Sequence, residues 1–289
     1  MQENNQIKAL LHLIDDPDEE IYNTVSDKIV SLGKEIIPNL EDFWESVNNE
    51  STQERIESLI HRLHYRDLTQ EFSEWILQSA DLLSGSIIVS KYHYPEIQPN
   101  IIFQEIEKLR RNIWLELNNY LTPMERINII NSIFYNYYKQ AGVEISYNNP
   151  DAFLINKSLE NKSGNAISNG IIYLILCHLL DIPVKAIGIP KQFLLAYFQE
   201  STPTLDFNRP IAQNIIFYID PVNGQMYSQH DIENYFKRIA LPMSNSYFKP
   251  FSNQKVIKVL LEELSLCFDN DNNRYKMNEI NQLVQMITK

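Results

Sequence analysis

The amino-acid sequence predicts an α+β fold that is predominantly helical and carries a small antiparallel sheet. Apolar residues recur at intervals of three and four along most of the chain, the spacing that places them on one face of a helix. Three short runs between positions 184 and 220 are rich in branched and aromatic residues and have strand character instead. The 289 residues include only seven glycines, and their many Leu, Ile, Glu and Gln residues favour helix.

The composition limits the class of protein. Apolar residues make up 44% of the chain, enough for a packed core in one large domain or two modest ones. The formal net charge of −12 argues against binding to nucleic acids or anionic membranes. No run approaches the roughly 18 apolar residues of a membrane-spanning helix, and the first residues do not resemble a signal peptide. We therefore expect a cytoplasmic protein in which Cys177 and Cys267 are buried free thiols.

Residues 1–94 are predicted to form a region of successive helices, the second of which ends at Gly33. A short helix, an acidic turn containing Pro17 and a longer helix ahead of Pro38 together resemble the helical pairs of HEAT-like proteins. The apolar positions that define the five helices are Ile7, Leu10, Leu11 and Ile14; Ile21, Val25, Ile29 and Leu32; Ile36, Ile37, Leu40, Phe43, Trp44 and Val47; Ile56, Leu59, Ile60 and Leu63; and Leu68, Phe72, Trp75 and Ile76.

Residues 95–245 are predicted to form a core domain that combines helices with the sheet. The proline-containing stretch "KYHYPEIQP" interrupts the helical pattern. Two long helices follow, over about 102–117 and 127–137. Thr122 and Pro123 open the second, as an N-cap followed by proline at the first helical position.

The sheet is expected in the second half of this core. A polar, loop-rich stretch after Gly142 leads to a helix over about 165–180. The predicted strands are "VKAIGIP", "FLLAYF" and "NIIFYID", and a loop over 199–213 separates the last two. Their near-continuous apolar character predicts strands that are buried on both faces.

Residues 246–289 are predicted to form a helical tail. Two helices, over about 256–268 and 277–287, flank the polar turn "DNDNN". This tail loosely resembles a tetratricopeptide-like unit.

Three segments of the core carry a resemblance to a known family. They are "NKSLENKSGNAIS" before the helix, "GIPKQFLLAY" on the next strands and "YIDPVNG" at the end of the last strand. This order resembles the transglutaminase-like superfamily, and in particular its SirB-type proteins, most specifically over residues 150–224. The resemblance implies a cysteine at the helix start, a histidine on the following strand and an aspartate on the strand after. In such a site the helix N-terminus lowers the pKa of the thiol, histidine deprotonates it and aspartate orients the histidine.

This chain departs from that pattern at two of the three positions. Ala166 stands where the superfamily has cysteine, Gln192 stands where it has histidine, and Asp220 matches the aspartate. Alanine has no nucleophile, and a glutamine amide does not act as a base near neutral pH. SirB-type proteins already lack the cysteine, so the missing histidine is the further departure. The sequence therefore predicts a pseudoenzyme.

Two hypotheses about function follow from the degenerate triad. In the first, the protein binds a protein or peptide partner, through a helical surface or through the former substrate cleft around Gly164, Asn165, Gln192 and Asp220. This hypothesis requires no cofactor and no metal. In the second, the protein is an active acyl-transfer or amide-hydrolysing enzyme with a rearranged site. A thiol or hydroxyl within hydrogen-bond reach of a base beside Asp220 would favour the enzyme.

Other residues could replace the missing nucleophile only if they lie close to the helix start. Cys177 lies eleven residues beyond Ala166, roughly 16 Å along the helix axis, and packing in the core is the favoured interpretation. His178 is its immediate neighbour and points elsewhere. Ser168 lies about 200° around the helix from Ala166 and faces away.

Asp220 and its neighbours allow two interpretations. Because Asp-Pro marks a strand end and a turn, the carboxylate is expected to cap local N–H groups. A remnant hydrogen bond from the Gln192 amide to Asp220 is a further hypothesis. His230 could instead complete a rebuilt Ser–His–Asp site, whereas Ser163 is interpreted as an N-cap.

The remaining candidates favour ordinary packing. Glu57, His61, His64 and Asp67 have a spacing that could hold a metal, but a half-exposed helix face is the favoured interpretation. His93 is interpreted as a packed loop residue, and "GNAISNG" is neither a phosphate-binding loop nor a dinucleotide fingerprint. Four clustered aromatic residues are interpreted as core packing rather than a stacking platform: Phe134, Tyr135, Tyr137 and Tyr138.

Overall fold

The computed structural model describes residue 7 and residues 9–78, 80–199, 211–271 and 273–288. Most of the loop predicted over 199–213 lies outside these residues. The chain divides into two compact units, Met1–Glu74 and Trp75–Lys289. No helix in the described ranges is both long enough and apolar enough to cross a membrane.

The first unit is helical, as predicted. Residues 9–12 are helical and lead into a 3₁₀ turn at Leu13–Asp15. Helices α1 (Glu19–Leu32) and α2 (Ile37–Ser46) follow, and α3 begins in this unit and spans Glu50–Leu77. Helix α1 ends at Gly33, whose φ of 84° lies in the left-handed region that glycine tolerates. The core of this unit consists of Leu11, Ile14, Val25, Ile29, Ile36, Ile37, Leu40, Ile56, Leu59 and Leu63.

The fourth and fifth predicted helices of this region are one continuous helix, so that prediction was wrong. Their apolar faces are separated by an irregular step of five residues between Leu63 and Leu68. No glycine or proline interrupts the chain there, and helix α3 therefore continues through both segments. Because of this step, the apolar positions of the two segments lie on different faces of the same helix.

The second unit begins with three helices, of which the first was not predicted. Helix α4 spans Leu82–His93, α5 spans Pro99–Glu116 and α6 spans Pro123–Asn131. The small residues of α4 gave no clear period in the sequence. Helix α6 is opened by a capping box between Thr122 and Glu125, and it continues as a π-helical turn over Ser132–Tyr137.

The stretch predicted to be loop-rich contains regular structure. Strands β1 (Ala141–Gly142) and β2 (Ser163–Gly164) pair in parallel, and helix α7 (Ile155–Asn161) lies between them. This helix has only seven residues, too few to show a period, which is why the sequence pattern missed it. The long helix that follows, α8, spans Ala166–Leu179 and matches its prediction.

The sheet has four antiparallel strands, which confirms the predicted small antiparallel sheet. Its order is β3 (Val184–Ile189), β4 (Gln192–Phe198), β5 (Ile215–Ile219) and β6 (Met226–Tyr227). The short strand β6 was not predicted. Helix α8 contacts β3 and β4, and helix α9 (Gln229–Arg238), also not predicted, contacts β5 and β6.

Two further helices complete the second unit, close to their predicted positions. Helix α10 spans Asn253–Ser265 and ends in a 3₁₀ turn at Leu266–Phe268, and α11 spans Arg274–Thr288. The two helices pack against each other, and α10 also packs against α4.

Candidate functional site

The start of helix α8 is capped by Asn165, not by Ser163 as predicted. The Asn165 side-chain oxygen accepts hydrogen bonds from the N–H groups of Ile167 and Ser168, at 2.9 and 3.1 Å. Ser163 lies in strand β2 instead. Ala166 occupies the first helical position.

A buried polar network fills the space beneath this helix start. A Cβ atom on Gly164 would lie 2.4 Å from the hydroxyl oxygens of both Ser158 and Ser168 and 2.5 Å from the side-chain oxygen of Asn169. The Gln140 amide donates to Ser158 Oγ and Asn169 Oδ1, at 3.0 and 2.8 Å. Gln140 Oε1 is buried without a hydrogen-bond partner, and Gly164 is part of the packing of this network.

Ser168 cannot serve as a replacement nucleophile in this arrangement. Its hydroxyl is buried and donates a 2.7 Å hydrogen bond to the carbonyl oxygen of Ala152. The proton is therefore held by a backbone carbonyl, which cannot act as a general base. Ser168 was predicted to face away from Ala166, and the structure shows its hydroxyl buried against Ala152.

The two thiols are also poor nucleophiles. Cys177 is completely buried, and burial raises its pKa far above that of a free thiol. Cys267 is half-buried, and burial together with the nearby Glu263 raises its pKa to about 11. Both groups are free thiols that stay protonated at neutral pH, and the thiol form does not attack carbonyl carbons efficiently.

Strand β4 determines which face of the sheet Gln192 occupies. The ring of Phe193 packs against Gly170 of α8, because a Cβ atom on Gly170 would lie 2.7 Å from that ring. Side chains alternate between the two faces of a strand, so Gln192 and Leu194 lie on the opposite face, toward α9. Gln192 is therefore on the other side of the sheet from α8, the helix that begins with Ala166.

Asp220 organises the turn that follows strand β5. Its Oδ1 accepts the N–H of Val222 and its carbonyl oxygen accepts the N–H of Gly224, both at 2.8 Å. The Tyr227 hydroxyl lies 3.5 Å from its Oδ2. This is the capped turn that Asp-Pro predicts. The expected hydrogen bond from Gln192 is absent from the described contacts of the carboxylate, so that hypothesis was wrong.

Asn131 of α6 and Tyr135 of the π-helical turn after it connect the Asp220 turn to the helices. Asn131 donates to the carbonyl of Gly224 at 2.7 Å, and the Tyr135 hydroxyl donates to the carbonyl of Pro221 at 2.9 Å. Tyr173 of α8 donates in turn to Asn131 Oδ1 at 2.9 Å. Burial, followed by the charge of Asp220, raises the pKa of Tyr135, so its hydroxyl remains a donor.

The histidines do not join Asp220 in the described residues. His230 lies in the first turn of α9, largely exposed, with Nδ1 4.0 Å from Glu233 Oε2. His178 is exposed near the end of α8, and His93 packs edge-on against Tyr94 with 4.9 Å between ring centres. His61 and His64 are half-buried along α3. No group of three or more potential metal ligands occurs in the part of the chain that the structure describes.

The predicted aromatic cluster serves mainly as packing. Phe134 and Tyr138 are buried, and Phe134 packs edge-on against Tyr135 and Tyr173. Tyr137 is the exception, with 74% of its surface exposed.

Gln192 lines a cleft of about 510 Å³ on the α9 side of the sheet, which we call the Gln192 cleft. Its lining combines side-chain amides, two tyrosines, a carboxylate and a guanidinium with apolar side chains: Gln192, Leu194, Gln225, Tyr227, Asp231, Asn234, Tyr235 and Arg238. The residues from β6 and α9 were missed in the sequence. The motif "SQHD" at Ser228–Asp231, which forms a capping box, followed by Ile232 and Phe236 at helical spacing, is the signal that could have found α9.

Comparison with known proteins assigns the chain to a family. Residues 101–262, more than half of the chain, match the transglutaminase-like superfamily, and the chain belongs to it. Among its relatives are SirB1 of Salmonella typhimurium, 24% identical over 198 residues (68% of this chain and 69% of that protein), and the UPF0162 protein YchA of Escherichia coli, 21% identical over 206 residues (70% and 72%). A UPF0162 protein of Vibrio cholerae is 27% identical over 153 residues, 53% of this chain and 52% of that protein. The chain is thus similar to SirB1 and to UPF0162 proteins, and no solved structure matches it.

Proposed function

We propose that this chain is a non-catalytic, cytoplasmic member of its superfamily that binds a peptide segment of a protein partner in the Gln192 cleft. One observation carries the proposal. Ala166 and Gln192, which the resemblance aligns with the cysteine and histidine of the superfamily, carry neither a nucleophile nor a base, and a cleft of about 510 Å³ lies beside Gln192. A cleft of this size is ordinary for ligand binding. The acidic net charge makes nucleic acid an unsuitable partner.

The chemistry of the lining suits an extended peptide. The side-chain amides of Gln192, Gln225 and Asn234 each offer donors and an acceptor, as a peptide backbone does. Ile189 and Ile232 supply apolar surface for alternate side chains of the bound segment. An extended peptide backbone exposes N–H and C=O groups in alternation. It can therefore donate hydrogen bonds to the oxygens of these amides and accept hydrogen bonds from their nitrogens.

The other residues of the candidate site have supporting roles in this proposal. Asp220 acts through Tyr227, which lines the cleft and lies within 3.5 Å of the carboxylate. Gly164 and Asn165 hold the start of α8 and do not contact the peptide. In this proposal residues 95–245 form the binding core, and the helices of residues 1–94 and 246–289 offer further surfaces for a protein partner.

The test begins with selection of binding peptides from a displayed random library on the wild-type protein. Affinities of a selected peptide are then measured by fluorescence polarisation for the wild type, the double variant Gln192→Ala/Asn234→Ala and the control Lys237→Ala. Loss of two hydrogen-bonding amides should weaken binding about tenfold. Lys237 is exposed on the same helix but does not line the cleft, so its variant should bind like the wild type.

The same samples distinguish binding from catalysis. After prolonged incubation with the protein, mass spectrometry should find the selected peptide intact. Cleavage of the peptide, or its transfer to an added amine, would restore the enzyme hypothesis. Equal binding by the double variant and the wild type would place the binding surface elsewhere.

A further inference from the structure

Helix α5 carries an exposed stripe that combines aromatic and charged residues. Phe103 and Trp114 are 43% and 59% exposed, although large aromatic side chains are usually buried. Glu107 and Arg110 lie between them and are partly exposed. All four positions lie within about 60° of one another around the helix axis, beside the buried face of α5. We call these four residues the α5 stripe.

The spacing of the α5 stripe is the same in both directions along the helix. Its members are separated by four, three and four residues, so the stripe is symmetric about the midpoint between Glu107 and Arg110. Two copies of α5 can pair in antiparallel orientation about a two-fold axis at this midpoint. Phe103 of each copy then faces Trp114 of the other, and Glu107 of each copy faces Arg110 of the other. A two-fold interface requires such self-complementarity, because the same patch serves both copies.

The charges of the stripe favour a second copy of this chain as its partner. Two copies repel each other over most of their surfaces, because each carries a formal net charge of −12. In the antiparallel pair, each charge of the stripe meets its opposite instead. Arg110 already donates from Nε and Nη2 to the two carboxylate oxygens of Glu107, at 2.7 Å each. A guanidinium has five N–H donors, so Arg110 can bind Glu107 of a second copy at the same time.

The neighbouring exposed row of α5 is less suited to this pairing. Ile101 and Leu115 are 56% and 67% exposed, and Lys108 lies midway between them in the same row. In an antiparallel pair centred on this row, Lys108 of one copy would lie against Lys108 of the other. Like charges in contact oppose association, so the stripe with alternating charges is the better interface.

We propose that the chain forms a two-fold symmetric homodimer through antiparallel packing of the α5 stripes. Phe103 and Trp114 supply the apolar contacts at both ends of the interface, and Glu107 and Arg110 form ion pairs between the copies at its centre. Because a contact confined to one helix of each copy is small for a protein–protein interface, we expect a transient dimer with a Kd on the order of 10 µM.

Analytical ultracentrifugation of the full chain, from about 1 to 200 µM, tests the proposal. The average mass should rise with concentration from the 34.0 kDa of one chain toward twice that value. Trp114→Ala should weaken dimerisation at least about tenfold, because aromatic residues at interfaces are frequent hot spots. Leu115→Ala is the matched control, since Leu115 is also exposed but lies outside the stripe, and it should change the Kd by less than about twofold.

Charge reversal tests the antiparallel orientation. Glu107→Arg places two guanidinium groups opposite each other across the interface, and Arg110→Glu places two carboxylates opposite each other, so each variant alone should stay monomeric. An equimolar mixture of the two variants should form a heterodimer, because every positive charge of one stripe then faces a negative charge of the other. Both side chains lie on the helix surface, so the circular dichroism spectra should stay those of the wild type.

Four outcomes would each overturn the proposal. They are a wild-type chain that stays monomeric throughout the concentration range, a Kd unaffected by Trp114→Ala, single charge variants that dimerise like the wild type, and a mixture of these variants that stays monomeric. The residues that line the Gln192 cleft include none from α5. The proposals for the cleft and for the stripe therefore stand or fall separately.

Discussion

The ring of Phe193 lies against Gly170 of helix α8, so closely that a methyl group on Gly170 would lie 2.7 Å from it. This contact fixes the orientation of strand β4 relative to the helix. Phe193 lies on the face of the sheet that packs against α8. Gln192, the preceding residue of the strand, therefore lies on the opposite face, where the Gln192 cleft is located. The position of one glycine thus explains why Ala166 and Gln192 are separated by the sheet.

Replacement of Gly170 by alanine should show that positions 170 and 193 are energetically coupled. Alanine favours helix by about 1 kcal/mol over glycine, but the added methyl group overpacks the ring at a cost of about 1–3 kcal/mol. In a Phe193→Ala background only the helix gain remains. Urea unfolding of the wild type, both single variants and the double variant should give a coupling of about 1–3 kcal/mol. An equal effect of Gly170→Ala in both backgrounds would contradict the contact.

Gly164→Ala should be among the most destabilising single substitutions in the chain. Its methyl group would meet three buried polar atoms at 2.4 to 2.5 Å, each of which is held by hydrogen bonds. We expect a loss of about 3 kcal/mol or more, measured by calorimetry. Gly33→Ala is the comparison, because Gly33 has a φ of 84° but open space around it, the nearest atom being the end of Arg66 at 3.4 Å. Its φ of 84° and ψ of −177° lie in a region that is almost restricted to glycine, so this substitution should cost about 1–3 kcal/mol. A loss greater than that of Gly164→Ala would reverse this ranking.

The sequence predicted those secondary-structure elements that are long enough to show a periodic pattern of apolar residues. Helix α8, the strands and the capped start of α6 at Thr122 follow from periodicity and local chemistry, and the structure places them as predicted. The short elements α7 and β6 were not predicted, because seven and two residues are too few to show a periodic pattern of apolar residues. Helix α4 escaped because small residues, including the tightly packed Gly85, hide its period.

The candidate site was harder to predict because its residues meet through tertiary contacts. The sequence located the helix start, Gln192 and the Asp220 turn, but it carried no information on which strand face Gln192 occupies. That face is set by the contact between Phe193 and Gly170, which are 23 positions apart. The cleft residues Asn234 and Arg238 come from a helix that the sequence pattern had not identified.

Placing a cysteine at position 166, where the resemblance to the superfamily predicts one, should create a reactive thiol without a base. In Ala166→Cys the new thiol stands at the first position of α8, where the helix dipole lowers its pKa. Its alkylation by iodoacetamide at pH 7 should be faster than that of either native cysteine. Adding Gln192→His should change this rate by less than about twofold, because the sheet separates the two positions. A tenfold increase, with a matching shift in the pH profile, would show that the positions are adjacent.

Alkylation of Cys267 should respond to pH unlike that of an ordinary thiol. Burial and Glu263 raise its pKa to about 11, so the thiolate fraction keeps rising through pH 8 to 9.5. The rate should increase about 30-fold over that range, whereas an unperturbed thiol approaches a plateau near its pKa of about 8.5. Peptide mapping after iodoacetamide treatment measures the rate, with the buried Cys177 as an unreactive internal reference. Glu263→Gln should lower the pKa; a plateau near pH 8.5 in the wild type would refute the prediction.

Asp220 should behave as a turn residue whose energy is independent of Gln192. Asp220→Ala removes the acceptor of the Val222 N–H and should cost about 1–3 kcal/mol of stability. Asp220→Asn keeps an oxygen that can accept this bond and should cost less than about 1 kcal/mol. Because the carboxylate contacts Val222 and Tyr227, the double-mutant cycle of Asp220→Ala with Gln192→Ala should give a coupling below about 0.5 kcal/mol, and the cycle with Tyr227→Phe a larger one. Urea unfolding of these variants measures both cycles. A coupling above about 1 kcal/mol between Asp220 and Gln192 would mean that the two side chains interact directly, as the histidine and aspartate of a working triad do.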